Sequence, residues 1–229
     1  MGGMIKAVIF DIGGVLAHNV WEHLFFDEDG ICNRFDLPRE KLQTIGRRLY
    51  EEYAYRVIPR ASDWRSLEKE YWRKFISEFR AELPQSIQED DLIHFSEDFV
   101  REVNSNEITP LLRELRSGNV NLAICSNNTP FWFERAKAKL KLQDFFNENN
   151  IVLSYDVGVP KSHQNCAMFN AVIERMGAEK RETVFIDDRE DNISRAESCG
   201  IKGILFDTYS PDNVKMLRRA LGEAGVPLG

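Results

Sequence analysis

Three features that mark special classes of protein are missing or weak in this 229-residue sequence. No apolar run approaches the ~18 residues that a membrane-spanning helix needs, so we expect no transmembrane helix. Positive charge is not in excess, because 30 Lys and Arg face 37 Asp and Glu; the net charge of −7 argues against nucleic acid or an anionic membrane as a partner. The four cysteines are widely spaced and form no C-x-x-C pair. That spacing predicts reduced thiols in the cytoplasm rather than a zinc site or a disulfide framework.

What is present suffices for a large hydrophobic core, since 43% of the residues are hydrophobic. The length fits one large domain or a domain with an insertion. Residues 4–16 predict a strand and its turn, 18–104 predict helices, and 106–229 alternate short apolar runs with helical segments. This alternation is typical of an α/β fold with a parallel sheet. The later strands are predicted at NVNLAICS (119–126), NIVLS (150–154), TVFIDD (183–188) and IKGILF (201–206).

Two of the predicted helices have recognisable starts. Apolar side chains recur at helical spacing up to residue 83, after Ser62 or Asp63 as the N-cap. Thr129 is the predicted N-cap of a later helix, with Pro130 at its first position. We interpret the aromatic residues of 18–104 mainly as the core of a small helical bundle.

Polar side chains follow the ends of the predicted strands, which is where parallel sheets of this kind bind ligands. Two carboxylates brought together repel each other, and Mg²⁺ relieves that repulsion with hard oxygen ligands. A lysine, a hydroxyl and the N–H groups at a helix start bind phosphate oxygens. The pattern therefore indicates a site for a metal-bound phosphate, with Asp11 free to attack phosphorus and form an aspartyl-phosphate. The residues at these positions are Asp11, Ser126, Asn127, Lys161, Asp187 and Asp188.

Four segments, VIFDIGGVL, LAICSNN, GVPKS and VFIDDREDNI, occur in the order of the four motifs of the haloacid dehalogenase-like (HAD) hydrolase superfamily, which the chain resembles. The resemblance implies an α/β fold, namely a three-layer Rossmann-like core with a parallel sheet plus an inserted α-helical cap. The core would comprise residues 1–17 and 105–229, and the cap residues 18–104. The motif wording is most similar to small bacterial sugar-phosphate phosphatases, here with a glycine two residues after the nucleophile.

The resemblance also implies a role for each motif residue. Catalysis would involve Asp11 as nucleophile, together with Lys161. The substrate phosphate would be bound by Ser126, Asn127 and Lys161. The metal ligands would be Asp11, the backbone carbonyl of Gly13, and Asp188. Asp187 and Asn192 would support them, and Asp191 is an alternative to Asn192.

Gly13 is the departure from the family pattern, because most phosphatases of this family carry a second aspartate there that protonates the leaving alcohol. Acid–base catalysis of this kind is typically worth ~10²–10⁴-fold. Three explanations remain open: a substrate with a good leaving group, a substitute donor such as His18, or a protein that only binds its ligand. Dehalogenation is a further alternative, since halide leaves without a proton, but the acidic pair Asp187 and Asp188 favours phosphoryl chemistry.

The sequence thus predicts a Mg²⁺-dependent phosphatase acting on a small phosphorylated metabolite, with a sugar 1-phosphate as one candidate. A catalytically weak or inactive binding protein is the alternative, and a 2-haloacid dehalogenase is the less favoured one. The sequence carries no signal of an oligomeric state. In the cap, aromatic residues are candidates to line the pocket, and arginines are candidates to bind a second anionic group. These are Trp21, Tyr50, Tyr53, Trp64 and Trp72, and Arg47, Arg48, Arg56 and Arg60.

Overall fold

The computed structural model describes residues 4–103 and 105–228, with side chains in the second range from residue 107 onward. Short apolar segments form one parallel sheet, and all but the partly exposed last strand are largely buried on both faces, as expected for strands covered by helices on either side. The strand order is β3-β2-β1-β4-β5. The strands are β1 (Ala7–Phe10), β2 (Asn121–Ser126), β3 (Ile151–Leu153), β4 (Thr183–Asp187) and β5 (Lys202–Leu205).

The strand at the centre of the sheet is β1, which pairs in parallel with β2 on one side and β4 on the other. Because the chain leaves β1 in one direction for β2 and later returns on the other side for β4, the sheet has its switch point at β1. Ligands bind at such a point, beyond the carboxyl ends of the strands. The predicted α/β fold with a parallel sheet is confirmed, including all four predicted later strands.

Helices fill the chain between β1 and β2 and form a region with its own hydrophobic cluster. Trp72, Phe75 and Phe79 are fully buried in that cluster, which confirms that most of its aromatic residues are core. The cluster continues through Phe131 and Trp132 onto the later helix α8 (Pro130–Lys139). The helices are α1 (Val20–Phe26), α2 (Ile31–Arg34), α3 (Arg39–Lys41), α4 (Arg47–Ala54), α5 (Trp64–Glu78) and α6 (Glu89–Glu97), with a π-helical turn at Leu42–Gly46.

The remaining helices flank the sheet, and two helix starts follow the sequence prediction. Asp63 caps α5 by accepting a hydrogen bond from the Arg65 N–H, although α5 ends earlier than predicted, at Glu78. Thr129 caps α8, with Pro130 at its first position. The flanking helices are α7 (Ser105–Ser117), α8 (Pro130–Lys139), α9 (Ser154–Val157), α10 (Ala167–Met176), α11 (Glu190–Ser198) and α12 (Asn213–Ala224), with 3₁₀ turns at Leu142–Asp144, Glu148–Asn150 and Lys180–Glu182.

The prediction of four reduced thiols is wrong for two of them. Cys166 and Cys199 form a disulfide, with their Cα atoms 6.0 Å apart, while Cys32 and Cys125 are free and buried. The bonded pair joins the start of α10 to the end of α11, two helices that pack in the same cluster against the sheet. A separation of 33 residues in sequence gives no sign of this contact, because only the folding of both helices onto one face creates it.

Within the described residues, no helix combines the length and the apolar character needed to cross a membrane. The predicted boundary between core and cap falls at residue 104, which lies outside the described residues, as do residues 1–3 and 229.

Candidate active site

Asp11 stands directly after the central strand, where the sheet's hydrogen bonding ends. Its N–H still donates to the Ile186 carbonyl at 2.9 Å, which fixes the backbone against β4. One carboxylate oxygen accepts a hydrogen bond from the Ile12 N–H at 2.7 Å. The other, Oδ2, lies 2.7 Å from the Lys161 ammonium. Asp11 is thus buried but fully held, with a defined orientation at the switch point of the sheet.

Lys161 is a buried ammonium that joins two carboxylates. Its Nζ contacts Asp11 at 2.7 Å and Asp187 at 2.5 Å, and its side chain is 1% exposed. Burial alone would lower the pKa of Lys161, but the adjacent Asp11 and Asp187 raise it above its ordinary value. The lysine therefore stays charged and offsets part of the negative charge at the sheet edge.

Asp187 is committed to neighbouring groups of the protein. Besides Lys161, it accepts hydrogen bonds from the Asn192 side chain at 3.0 and 3.2 Å and from the Arg189 N–H at 2.9 Å. Asp188 follows it and faces the cavity instead. The two residues of the acidic pair are therefore in different positions: Asp187 anchors Lys161 and Asn192, and Asp188 is available to a ligand.

The carboxylates carry more negative charge than the single lysine neutralises. Burial raises the pKa of Asp11 to about 6; Lys161 opposes this rise and Asp187 adds to it. Burial raises the pKa of Asp188 to about 7, with further contributions from Asp11 and Asp187. Oxygen atoms of these three residues lie within 4.8 Å of one another. Clustered carboxylate oxygens of this kind are the donor set that a hard divalent cation such as Mg²⁺ takes, so the residues fit that ion.

The two glycines after Asp11 have different reasons to be there. Gly14 has φ +80°, and a Cβ on it would lie 2.2 Å from Asp188 Oδ2, so a side chain would displace the acidic residue. Gly13 has no such constraint: the nearest atom to an added Cβ is the Asn19 Cα, at 3.9 Å. Backbone geometry therefore requires glycine at position 14 but not at position 13.

Ser126 and Asn127 lie at the end of β2, beside Asp11. Ser126 is fully buried, and its hydroxyl is near enough to the Asp11 carboxylate to lower the pKa of Asp11. Asn127 lines the cavity, and its side-chain oxygen accepts a hydrogen bond from the Lys161 N–H at 2.9 Å. This bond ties the loop that carries Lys161 to the end of β2.

A cavity of about 330 Å³ opens above these groups, between the carboxyl end of the sheet and the inserted helices. That volume suits a small ligand. From the sheet side it is lined by Asp11, Gly13, Asn127, Lys161, Asp188 and Asn192, so the structure brings these predicted residues together. From the inserted helices it is lined by Trp21, Glu22, Arg47, Tyr50, Glu51 and Tyr55.

Only some of the aromatic and basic residues singled out from the sequence reach this cavity. Trp21 and Tyr50 line it, while Tyr53 and Trp72 are buried in the helical cluster. Of the four arginines, Arg47 lines the cavity, and its guanidinium has no ion pair or hydrogen bond to another described residue. The other three are paired: Arg48 with Glu78, Arg56 with Glu52, and Arg60 with Asp156.

His18, the suggested substitute proton donor, does not line this cavity among the described residues. Its ring packs against His23, with 4.9 Å between the ring centroids. Burial lowers the pKa of His18, and His23 and Arg101 lower it further. At neutral pH the imidazole is therefore uncharged.

Sequence reasoning missed two features of the site. The requirement for glycine at position 14 was hidden in the glycine pair, although two adjacent glycines after a strand are a signal of close backbone approach. Tyr55 was not singled out, because it lies just beyond the end of α4 and outside the helical pattern. Asp191, the alternative to Asn192, also lines the cavity but is exposed and paired with Arg189 at 3.0 Å, whereas Asn192 is buried and donates to Asp187.

A model of the haloacid dehalogenase-like hydrolase family matches residues 5–200. The chain belongs to this family of hydrolases, and the order and geometry of the four motif segments agree with that membership.

Solved structures share the fold at low sequence identity. A HAD family enzyme from Bacteroides thetaiotaomicron, in complex with magnesium and inorganic phosphate, is 23% identical, with a TM-score of 0.62 over 90% of this chain and 96% of its own. A HAD phosphatase from Thermococcus onnurineus is 22% identical, with a TM-score of 0.59 over 95% and 98%. A dehalogenase is 17% identical, with a TM-score of 0.59 over 93% and 89%. Because a phosphatase and a dehalogenase both share the fold, the fold alone does not choose between their reactions.

Proposed function

We propose that this hydrolase is a Mg²⁺-dependent phosphatase that hydrolyses a small phosphate monoester, with a sugar 1-phosphate as the first candidate, through an aspartyl-phosphate on Asp11. The observation that carries the proposal is the buried Asp11 carboxylate, held at 2.7 Å by Lys161 on the floor of a cavity that Asp188 also faces. The magnesium and phosphate bound by the Bacteroides relative support the same chemistry.

The proposed reaction uses each of these groups in turn. Asp11 attacks phosphorus, the bond from phosphorus to the leaving oxygen breaks, and water then hydrolyses the aspartyl-phosphate to regenerate the carboxylate. Lys161 lowers the repulsion between Asp11 and an incoming anionic phosphate. Ser126, Asn127 and Lys161 would hold the phosphate oxygens.

The metal would be held by Asp11, Asp188 and the backbone carbonyl of Gly13, and when bound it supplies positive charge to the transferring phosphoryl group. Asp187 and Asn192 act as positioning residues, since Asp187 holds the side chains of Lys161 and Asn192 in place by hydrogen bonds. Gly14 leaves the space that Asp188 occupies. We also propose that residues 18–104 act as a cap over a core of residues 1–17 and 105–229, because the inserted helices supply one wall of the cavity.

Two other functions remain as alternatives. The first is a binding or regulatory protein, which Gly13 favours because glycine has no side-chain acid to protonate a leaving group. Dehalogenation is disfavoured by the buried acidic cluster, because a halide needs neither a metal nor a second carboxylate beside the nucleophile.

The test is hydrolysis of para-nitrophenyl phosphate and of glucose 1-phosphate by the purified protein, with Mg²⁺ and with EDTA. We expect metal-dependent hydrolysis that is lost in Asp11→Asn and retained in Asp90→Asn, a matched change to a 74%-exposed carboxylate on α6. Absence of turnover in Mg²⁺ would overturn the phosphatase in favour of a binding protein, and halide release from 2-haloacids would identify a dehalogenase.

A further inference from the structure

The residues assigned to the proposed reaction include no proton donor for the leaving alcohol. The fold itself leaves room for such a donor at position 13. Gly13 has room for a Cβ, so an acidic residue there would not be excluded by backbone geometry. A phosphatase that releases an alkoxide without protonation forfeits a large rate factor. Another residue at the cavity is therefore expected to provide the proton, an inference that rests on the proposed function.

Tyr50 is placed to do this. It belongs to α4 of the inserted helices, yet its hydroxyl reaches the sheet edge and donates a hydrogen bond to the Asn127 carbonyl at 3.2 Å. Its ring is stacked on Trp132, with 5.7 Å between centroids and planes 22° apart, and lies 5.7 Å from the Trp21 ring. These contacts hold the hydroxyl in place beside the residue that follows Ser126.

The position of Tyr50 relative to Gly13 separates it from the other hydroxyl and carboxylate groups that the inserted helices bring to the cavity. It lines both the main cavity and a recess of about 40 Å³ that Gly13 and Asn19 border, whereas His18 borders the recess but not the main cavity. In the described part of the chain, Tyr55 lines the cavity but not the recess. Glu22 and Glu51 are exposed at the rim of the cavity.

We propose that the Tyr50 hydroxyl protonates the leaving alcohol of the substrate in place of the acid missing at position 13. As Asp11 attacks and the bond from phosphorus to the leaving oxygen breaks, the Tyr50 proton moves to that oxygen, which releases a neutral alcohol and leaves a phenolate. When water attacks the phosphorus of the aspartyl-phosphate, one water proton returns to the phenolate. The Asp11 carboxylate and inorganic phosphate are then released, and Tyr50 is again protonated.

The Tyr50 hydroxyl carries its proton at neutral pH. Burial raises its pKa well above the ordinary value, with smaller contributions from Tyr55 and Asp11, so the hydroxyl is protonated throughout the neutral range. Its bond to Asn127, at 3.2 Å, is longer than the usual ~2.7–2.8 Å of an O–H···O bond. The proton can therefore turn from that carbonyl toward a substrate oxygen.

The test compares kcat/KM of Tyr50→Phe and wild type for aryl and alkyl phosphate monoesters. Phenylalanine keeps the ring that stacks on Trp132 and removes only the hydroxyl. We expect para-nitrophenyl phosphate, whose leaving group needs no proton, to be hydrolysed at nearly the wild-type rate, and alkyl esters to fall by about 10²-fold or more. Adding Gly13→Asp to Tyr50→Phe should restore alkyl-ester hydrolysis.

Several results would overturn the assignment. An equal loss on all esters would mean that Tyr50 only packs or positions the inserted helices, and no loss would mean that it has no part in the reaction. A selective loss on alkyl esters in His18→Gln instead would identify His18 as the donor. If wild type hydrolyses no ester at all, including para-nitrophenyl phosphate, the proposed function itself fails and the role of Tyr50 fails with it.

Discussion

Replacing Asp11 with asparagine should abolish catalysis and, at the same time, stabilise the metal-free protein. Burial raises the pKa of Asp11 from 3.8 to about 6 in the folded state, so the ionised carboxylate is less stable in the fold than in the unfolded chain. Each pKa unit corresponds to about 1.4 kcal/mol, and the difference amounts to about 3 kcal/mol of unfolding free energy. Because the residue is only 6% exposed, solvent screening reduces this figure little.

The sign of the pH dependence follows from the two pKa values. Between pH 3.8 and about 6 the folded protein holds a proton on Asp11 that the unfolded chain has released. Wild-type stability from this group therefore falls as pH rises through that window, and the full loss is present above it. Asparagine does not titrate, so its advantage is small at acidic pH and largest at pH 8. Lys161 keeps Asp187 as its partner in the variant.

The assay is thermal and urea-induced unfolding of wild type and Asp11→Asn in EDTA, at pH 4.5 and pH 8. For a chain of this length about 3 kcal/mol corresponds to a rise in Tm of roughly 6–12 °C at pH 8. Asp90→Asn, at an exposed site, should change Tm little at either pH. A destabilised Asp11→Asn variant at pH 8, or a difference that is the same at both pH values, would refute the electrostatic account of the site.

Three further measurements test other parts of the structure. Mg²⁺ should raise the Tm of wild type more at pH 8 than at pH 5 in a thermal-shift assay, because protons compete for the carboxylate cluster; equal shifts would argue against a metal at these residues. Reduction of the Cys166–Cys199 bond opens a loop closed over 33 residues and should lower the unfolding free energy by about 3–4 kcal/mol, whereas Cys166→Ser should show no response to reductant. Arg135→Leu leaves Glu68, which is 1% exposed, without its partner at 2.8 Å and should cost about 3–5 kcal/mol in urea unfolding; a cost below ~1 kcal/mol would mean that the pair behaves like a surface ion pair.

Much of the fold could be predicted from the sequence, because the patterns that determine the strands and the helix starts are local. Short apolar runs predict buried strands, and polar residues at their ends predict the sheet edge where Asp11 and Asp188 now face one cavity. The helix starts at Asp63 and Thr129 could be predicted for the same reason, since capping involves neighbours a few residues apart.

The remainder depends on contacts between segments that are distant in the chain. Arg47 lines the cavity while Arg48 pairs with Glu78, and adjacent positions on one helix give no sign of which faces a pocket formed by another region. The contact of Tyr50 with Asn127 likewise requires the inserted helices to be seated on the sheet edge. Periodicity identifies the face of a helix but not its partner.

The central claim, that Asp11 is the nucleophile, is tested most directly by acid-quenching the enzyme during turnover of para-nitrophenyl phosphate with Mg²⁺ and locating the modified peptide by mass spectrometry. The account predicts one phosphoryl group on the peptide that contains Asp11, absent in Asp11→Asn. Turnover without any phosphorylated peptide, or a phosphoryl group on another residue, would contradict it.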